Sequence, residues 1–182
     1  MMARNTFGRV QFRTLAISLG VVLSFGFAQA ASAADELPRE ATLPLALASK
    51  AAAAAQDKCT KDGHRVTVAV VDRAGVLKVL VRGDGAGPHT TDSSTKKAYT
   101  AASLRRPTAE LAEMVAKTPT VEGLHYMSDK ILILGGGLPI EIGGEVVGGI
   151  GVGGAPGGHL DAACAQAGLD SIGAAPKVPA AK

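Results

Sequence analysis

The chain has 182 residues, with 19 Lys and Arg against 16 Asp and Glu, no tryptophan and only 3% aromatic residues. So few rings argue against a site that binds sugars or single-stranded nucleic acid by stacking. The histidines and the two cysteines do not have the spacing of zinc ligands, which argues against a structural zinc site.

The first 33 residues have the pattern of a secretory signal peptide. A basic n-region with three arginines precedes an apolar h-region at residues 15–28, and Ala31-Ser32-Ala33 is a cleavage motif. The h-region is shorter than the roughly 20 apolar residues of a membrane span. We therefore expect a periplasmic or secreted protein from which residues 1–33 are removed, with an uncleaved membrane anchor as the alternative.

Removal of this segment changes the net charge. The loss of Arg4, Arg9 and Arg13 leaves 16 basic residues (19 minus 3) against 16 acidic ones, so the net charge falls to about zero. A neutral protein gives no reason to expect a nucleic-acid partner. The roughly 150 residues that remain suit a single domain with its own hydrophobic core.

A helix and a β-hairpin are predicted first. Residues 34–41 are expected to be a disordered leader, and Thr42 is a candidate N-cap for an alanine-rich helix that ends at Gly63. The segments RVTVAVVD and VLKVLVR alternate β-branched and small residues, which is typical of strands. Between them, residues 72–75 have the composition of a tight turn, with an aspartate at its start and a glycine at its end.

A glycine-rich loop, GDGAGPH, follows the hairpin and ends at His89. Three glycines and a proline in so short a segment indicate a sharp bend or a close approach of the backbone to another group. This loop is therefore the first candidate site. We expect a second helix to begin at Thr90 or Thr91, and a third to begin at Thr108, its candidate N-cap.

The second half of the chain predicts three more strands and a closing helix. The third and fourth strands are ILILGGG and LPIEI, and the fifth is EVVGGIGVGG, after a hairpin signal at Gly143-Gly144. The helix HLDAACAQAG follows, and residues 174–182 are expected to be a disordered tail. This order predicts a single α+β domain over residues 42–173, with an antiparallel five-stranded sheet and the first and last helices on one face.

Residues Gly149 to Gly154 of the fifth strand, GIGVGG, match the dinucleotide-binding pattern G-x-G-x-x-G. A dinucleotide site would need a further βα unit, and only one short helix and a tail follow. Strand alternation instead puts Gly149, Gly151 and Gly153 on one face of the sheet. That face is open to close approach by a helix, another subunit or a flat ligand, and helix packing is the simplest of these.

Cys59 and Cys164 are the two cysteines of the chain. Export to an oxidising compartment would favour a disulfide bond between them. Two buried free cysteines are the alternative, because small thiols also pack well between helices and a sheet.

Six segments together resemble the GlcG/HbpS haem-binding protein family. They are VTVAVVDRAG, RGDGAGPHT, KKAYTAAS, RRPT followed by any two residues and then Leu, GGGLPI, and GGIGVGGAPGGHLDAACAQAG. The resemblance covers residues from about Leu43 to Gly173. It implies a profilin-like or PAS-like fold, a homo-oligomer that is an octamer in exported relatives, and haem as the cofactor.

The resemblance also implies where iron would bind. The threonine of the Pro-Thr turn before the third helix is the iron-side contact in exported relatives, and that residue is Thr108 here. Arg105 and Arg106 precede it and could pair with the two haem propionates, since guanidinium groups suit carboxylates. The alternatives are an ordinary helix cap for Thr108 and a solvated surface pair for the arginines.

His89 is the rival iron ligand, because imidazole binds haem iron more strongly than a neutral hydroxyl does. The haem is expected near residues 105–108, with the loop that ends at His89 closing over it. A surface histidine that bonds a carboxylate is the alternative reading of His89.

Three classes of function remain open. An extracytoplasmic protein that stores, carries or senses haem is the leading hypothesis. The second is an enzyme acting on a small metabolite of a glycolate-related pathway, for which Asp72, Asp84 and Lys97 could supply acid and base groups, although turn and surface roles suffice for them. The third is an oligomeric accessory module for a membrane sensor protein.

Overall fold

The computed structural model describes residues 39–175, which form an antiparallel sheet of four strands in the order β2-β1-β4-β3, with helices on both faces. The elements, in chain order, are α1 (Leu45–Lys61), β1 (Thr67–Asp72), β2 (Leu77–Arg82), α2 (His89–Leu104), α3 (Thr108–Lys117), a 3₁₀ helix (Pro119–Tyr126), β3 (Gly137–Ile142), β4 (Glu145–Gly153) and α4 (Gly158–Ser171). The predicted α+β class is confirmed.

The β1–β2 hairpin has the predicted turn. One carboxylate oxygen of Asp72 accepts hydrogen bonds from the backbone N–H groups of Ala74 and Val76, at 3.0 and 2.9 Å. Gly75 has a φ of 77°, a left-handed conformation that glycine adopts without steric cost. Asp72 therefore has the turn role that was one of its two predicted alternatives.

The main core lies between the sheet and the pair α1 and α4, as predicted for the first and last helices. Alanines of α1 pack there against β-branched and leucine side chains of the strands. The opposite face of the sheet is covered by α2. A Cβ added to Gly151 would lie 2.1 Å from the Ser94 carbonyl oxygen, so glycine allows the backbone of α2 to rest directly on β4. Helix packing thus accounts for the alternating glycines.

The predicted five strands are four, because the ILIL segment is not a strand. Residues 131–133 have no regular secondary structure and residues 134–136 form bends, and the backbone N–H of Leu132 donates to the Thr100 hydroxyl of α2 at 2.8 Å instead of to a neighbouring strand. Gly136 then turns the chain with a φ of 115° into β3. The apolar composition of this segment gave no sign that a hydroxyl of α2 accepts the hydrogen bond of its backbone N–H.

Three predicted helix starts need correction. Pro44 is the residue before α1, so Thr42 is not its cap, and α2 begins at His89 itself. His89 is therefore the first helical residue and not part of the loop. Thr108 is the first residue of α3, and its side chain makes no capping bond to that helix.

A disulfide bond joins Cys59 of α1 to Cys164 of α4, with a Cα–Cα distance of 5.5 Å. The two cysteines are therefore disulfide-bonded and are not buried free thiols. Because the bond closes a loop with a sequence separation of 105, it stabilises the fold by about 4–5 kcal/mol on a chain-entropy estimate.

The domain extends past its predicted end at residue 173. Ala174 is buried, and Ala175 exchanges two backbone hydrogen bonds of 2.9 Å with Glu141 of β3. The predicted signal peptide, residues 34–38 of the leader and residues 176–182 of the tail lie outside the described residues. Between residues 39 and 175, no helix has the length and apolar character needed to cross a membrane.

Candidate functional site

A cavity of about 300 Å³ lies between α2 and the glycine-proline loop that joins β4 to α4. We call it the α2–α4 cavity. His89, Ser93 and Lys97 line it from every fourth position of α2, and residues 153–158 line the other side. Leu134, whose side chain is 51% exposed, adds an apolar group to the lining.

The base of the cavity is a buried ion pair. Lys97 and Asp161 are 2% and 3% exposed, and the lysine Nζ lies 2.8 Å from Asp161 Oδ2. The same Nζ donates to the Val152 carbonyl oxygen at 2.9 Å, and Asp161 Oδ1 accepts the Ala155 N–H at 3.0 Å. The pair therefore ties α2, the end of β4 and the first turns of α4 together.

Burial raises the pKa of Asp161 above that of a free aspartate. The ammonium group of Lys97 and the Ala155 N–H both favour the charged carboxylate and oppose the effect of burial. A buried acid with a shifted pKa at the base of a cavity is typical of functional sites.

Sequence reasoning missed this pair. It named Lys97 only as a candidate acid or base group with a surface role as the alternative, and it gave Asp161 no role. One signal was available: Lys97 lies beside Ala98 and three residues after Ser94, on the face of α2 that small residues mark as buried. A lysine on such a face needs a buried partner, because an unpaired buried charge is costly.

The position of His89 follows from the contacts that begin α2. The Thr67 hydroxyl of β1 bonds the Thr90 hydroxyl at 2.7 Å, and Thr90 in turn donates to the Gly87 carbonyl oxygen at 2.6 Å. These bonds fix the first turn of α2 to the sheet. The His89 side chain itself is exposed at the cavity and can reach a ligand.

The loop glycines are required because other side chains pack so closely against them that a Cβ atom would not fit. A Cβ on Gly83 would be 2.3 Å from Nε2 of Gln56, one on Gly85 would be 2.9 Å from Cδ of Arg65, and one on Gly87 would be 2.6 Å from Cε1 of His89. The predicted close approach is therefore made by the protein's own polar side chains.

Thr108 lies away from the cavity lining and is fully buried. Its hydroxyl accepts the Gly137 N–H at 2.8 Å and lies 3.4 Å from the carbonyl oxygen of the same glycine. The hydroxyl thus joins the start of α3 to the start of β3. In this arrangement it is not open to an iron atom.

Arg105 and Arg106 are exposed and follow the last residue of α2, where Arg105 has a φ of 54°. The 16 residues of α2 span about 24 Å at 1.5 Å per residue, so the arginines and His89 lie at opposite ends of this helix. Within one chain, Thr108, Arg105, Arg106 and His89 therefore do not form one site. The expected closure of the His89 loop over residues 105–108 is wrong for a single chain.

The described part of the chain contains no group of three or more His, Cys, Asp or Glu side chains that could hold a metal ion by themselves.

The comparisons with known proteins agree with one another. The model of the family described as "Haem degrading protein HbpS-like" matches residues 43–170. Protein GlcG of Escherichia coli K12 is 36% identical over 107 residues, which are 58% of this chain and 77% of GlcG.

Two solved structures share the fold. A double mutant of Streptomyces reticuli HbpS is 47% identical, with a TM-score of 0.69 over 75% of this chain and 91% of HbpS. A PduOC–haem complex is 26% identical, with a TM-score of 0.68 over 74% of this chain and 98% of PduOC. The family match spans every helix and strand of the fold up to the last turn of α4, and we conclude that the chain belongs to the HbpS-like family.

Proposed function

We propose that this protein binds haem outside the cytoplasm and that His89, at the α2–α4 cavity, is the iron ligand. The observation that carries the proposal is the exposed imidazole of His89 in the lining of the cavity. Imidazole is a common axial ligand of haem iron, whereas the Thr108 hydroxyl is buried and already bonded to Gly137.

The lining of the cavity fits one edge of a haem. Leu134 and the glycine-proline loop offer apolar contact, and the Ser93 hydroxyl offers polar contact. A volume of about 300 Å³ is at the lower end for ligand pockets, so most of the macrocycle would lie outside the cavity mouth. We propose that the protein forms a homo-oligomer, as the family resemblance implies, in which a second subunit covers the exposed face.

Relatives support haem as the ligand. The family description refers to haem degradation, and PduOC, which shares the fold, forms a complex with haem. For this chain we propose binding for storage, carriage or sensing of haem.

Two features support a location of the protein outside the cytoplasm. Residues 1–33 have the signal-peptide pattern, and a disulfide bond joins Cys59 to Cys164. Disulfide bonds persist mainly in oxidising compartments such as the periplasm. Fractionation of cells, with immunodetection of the chain, tests this part of the proposal, and a purely cytoplasmic pool of full-length chain would contradict it.

A haem titration followed through the Soret band tests the ligand and its site. We expect the chain of residues 34–182 to give a saturable Soret band, and His89→Ala to weaken binding by at least tenfold. His125→Ala is the matched control, because His125 is also exposed but lies on the 3₁₀ helix. If Thr108→Ala removes the band from a folded protein while His89→Ala leaves it unchanged, His89 is not the iron ligand.

A further inference from the structure

A second and larger cavity, of about 540 Å³, lies between the C-terminal half of α1 and the ends of the hairpin strands. We call it the α1–β2 cavity. Its lining shares no residue with the α2–α4 cavity. The residues that line it are Gln56, Thr60, Gly63, His64, Arg65, Arg82, Gly83 and Asp84.

Strand pairing brings the two arginines of this cavity together. Thr67 of β1 pairs with Arg82 of β2, and the Gly83 N–H donates to the Val66 carbonyl oxygen at 2.9 Å, which extends the ladder toward Arg65. Arg65, just before β1, and Arg82, the last residue of β2, thus lie at the same end of the hairpin.

Neither guanidinium group has a carboxylate partner among residues 39–175. Arg82 donates to the Ala86 carbonyl oxygen, and Arg65 lies over Gly85. Asp84 is the one acidic residue of the lining and faces two arginines, so the cavity carries an excess positive charge. The loop that follows β2 therefore contacts both arginine side chains.

Gln56 supplies an independent sign of a missing partner. The oxygen of its carboxamide, Oε1, is buried and has no hydrogen-bond partner within the described part of the chain. Buried polar atoms are normally hydrogen-bonded, and one without a partner in a native protein calls for an explanation. The carboxamide fits this position because Gly83 has no Cβ, which would lie 2.3 Å from Nε2.

We propose that the α1–β2 cavity binds a small organic oxyanion, a carboxylate or a phosphate, that also carries a hydroxyl or amine donor. Arg65 and Arg82 hold the oxyanion, because guanidinium groups form paired hydrogen bonds with carboxylate and phosphate oxygens. Gln56 accepts the hydrogen bond of the donor. This site is separate from the haem site and does not depend on haem.

The rival explanation is structural. The cavity lies beside the C-terminal end of α1, and cations near a helix C-terminus stabilise the helix dipole. Under that explanation Arg65 and Arg82 would matter for stability and would have no ligand.

Thermal unfolding of the haem-free protein with L-malate, succinate or inorganic phosphate, each against sodium chloride of equal ionic strength, separates these explanations. Malate and succinate differ by the hydroxyl that Gln56 would recognise. We expect a saturable rise in Tm with malate or phosphate, and the preferred anion identifies which class the site takes. Arg65→Gln and Arg82→Gln should weaken the apparent affinity at least tenfold.

Further variants separate an effect on ligand binding from an effect on folding. Arg65→Lys retains the charge without the planar fork and should bind more weakly than the wild type while folding normally. Gln56→Leu should abolish any preference for malate over succinate. Arg106→Gln is the matched control, since Arg106 is exposed and remote from the cavity lining, and should respond like the wild type.

The proposal is overturned if no anion raises Tm beyond the sodium chloride control. It is also overturned if folded Arg65→Lys and Arg82→Gln respond like the wild type. A haem titration of Arg65→Lys keeps this proposal distinct from the haem proposal, because we expect its Soret band to match that of the wild type.

Discussion

The roles of single buried polar side chains are not equally evident from the sequence. Thr108 is notable as part of a Pro-Thr turn, yet its role in the structure is to bond the backbone of Gly137. Lys97 and Asp161 belong to no local motif, and they meet only because α2 and α4 both pack at the end of β4. Such a contact between residues 64 positions apart cannot be found from periodicity in one sequence.

The Lys97–Asp161 pair predicts a pattern of stabilities. Lys97→Met leaves a buried carboxylate without its cation and should lower the free energy of unfolding by about 3–5 kcal/mol. Lys97→Met combined with Asp161→Leu should cost less than either single change, because no unpaired charge remains. Lys96→Met is the control and should cost about 0–1 kcal/mol, since its ion pair with Asp92 is exposed. Urea unfolding of the wild type, the two single variants, the double variant and the control measures these effects, and an additive double mutant would contradict the coupling.

The raised pKa of Asp161 predicts a pH dependence of stability. Between its ordinary pKa and the raised one, the folded protein binds more protons at this carboxyl than the unfolded chain does. The contribution of Asp161 is therefore fully present below the ordinary pKa and is lost as pH rises through the raised value. The free energy of unfolding of the wild type, minus that of Asp161→Asn, should fall as pH rises through this window. A rise in that difference would show that Lys97 outweighs burial.

Helices and strands were predicted correctly from the sequence where they depend on a pattern of neighbouring residues. The β1–β2 hairpin, α1 and α4 were predicted from alternation, turn residues and alanine content, and all three are present. The ILIL segment was predicted wrongly because its backbone is satisfied by Thr100 of α2, a contact between distant parts of the chain. Pro139 is tolerated in β3 because β3 is an edge strand, where one side of the backbone needs no partner.

The contact between α2 and β4 predicts that glycine is required at residue 151. Gly151→Ala would place its Cβ 2.1 Å from the Ser94 carbonyl oxygen, so α2 must move away from the sheet. We expect a loss of at least about 1–3 kcal/mol, the usual cost of overpacking. Gly123→Ala is the control, because nothing lies within 4 Å of its Cβ position. Thermal unfolding compares the two, and equal Tm values would mean that α2 does not rest on β4 in solution.

The extent of the whole domain is also testable. The sequence predicted an ordered domain that ends at residue 173, because the last residues contain prolines and few apolar side chains. The structure adds Ala174 to the core and two hydrogen bonds between Ala175 and Glu141. A chain of residues 34–173 should therefore be less stable to urea than a chain of residues 34–175, by about 1–3 kcal/mol. Equal stabilities would place the boundary where the sequence predicted it.

At the scale of the molecule, the fold and the family followed from ordered motifs, whereas the site did not. Motifs record which residues are near each other in the chain, and they grouped Arg105, Arg106 and Thr108 with a histidine that lies at the other end of α2. The two cavities are formed by chain segments that only the folded sheet brings together.

The central claim is that His89 holds haem iron at the α2–α4 cavity, and imidazole rescue tests it most directly. His89→Gly should lose the wild-type haem spectrum, and free imidazole should restore it by occupying the vacated position, whereas His125→Gly should keep the wild-type spectrum without imidazole. An unchanged spectrum in folded His89→Gly would contradict the claim.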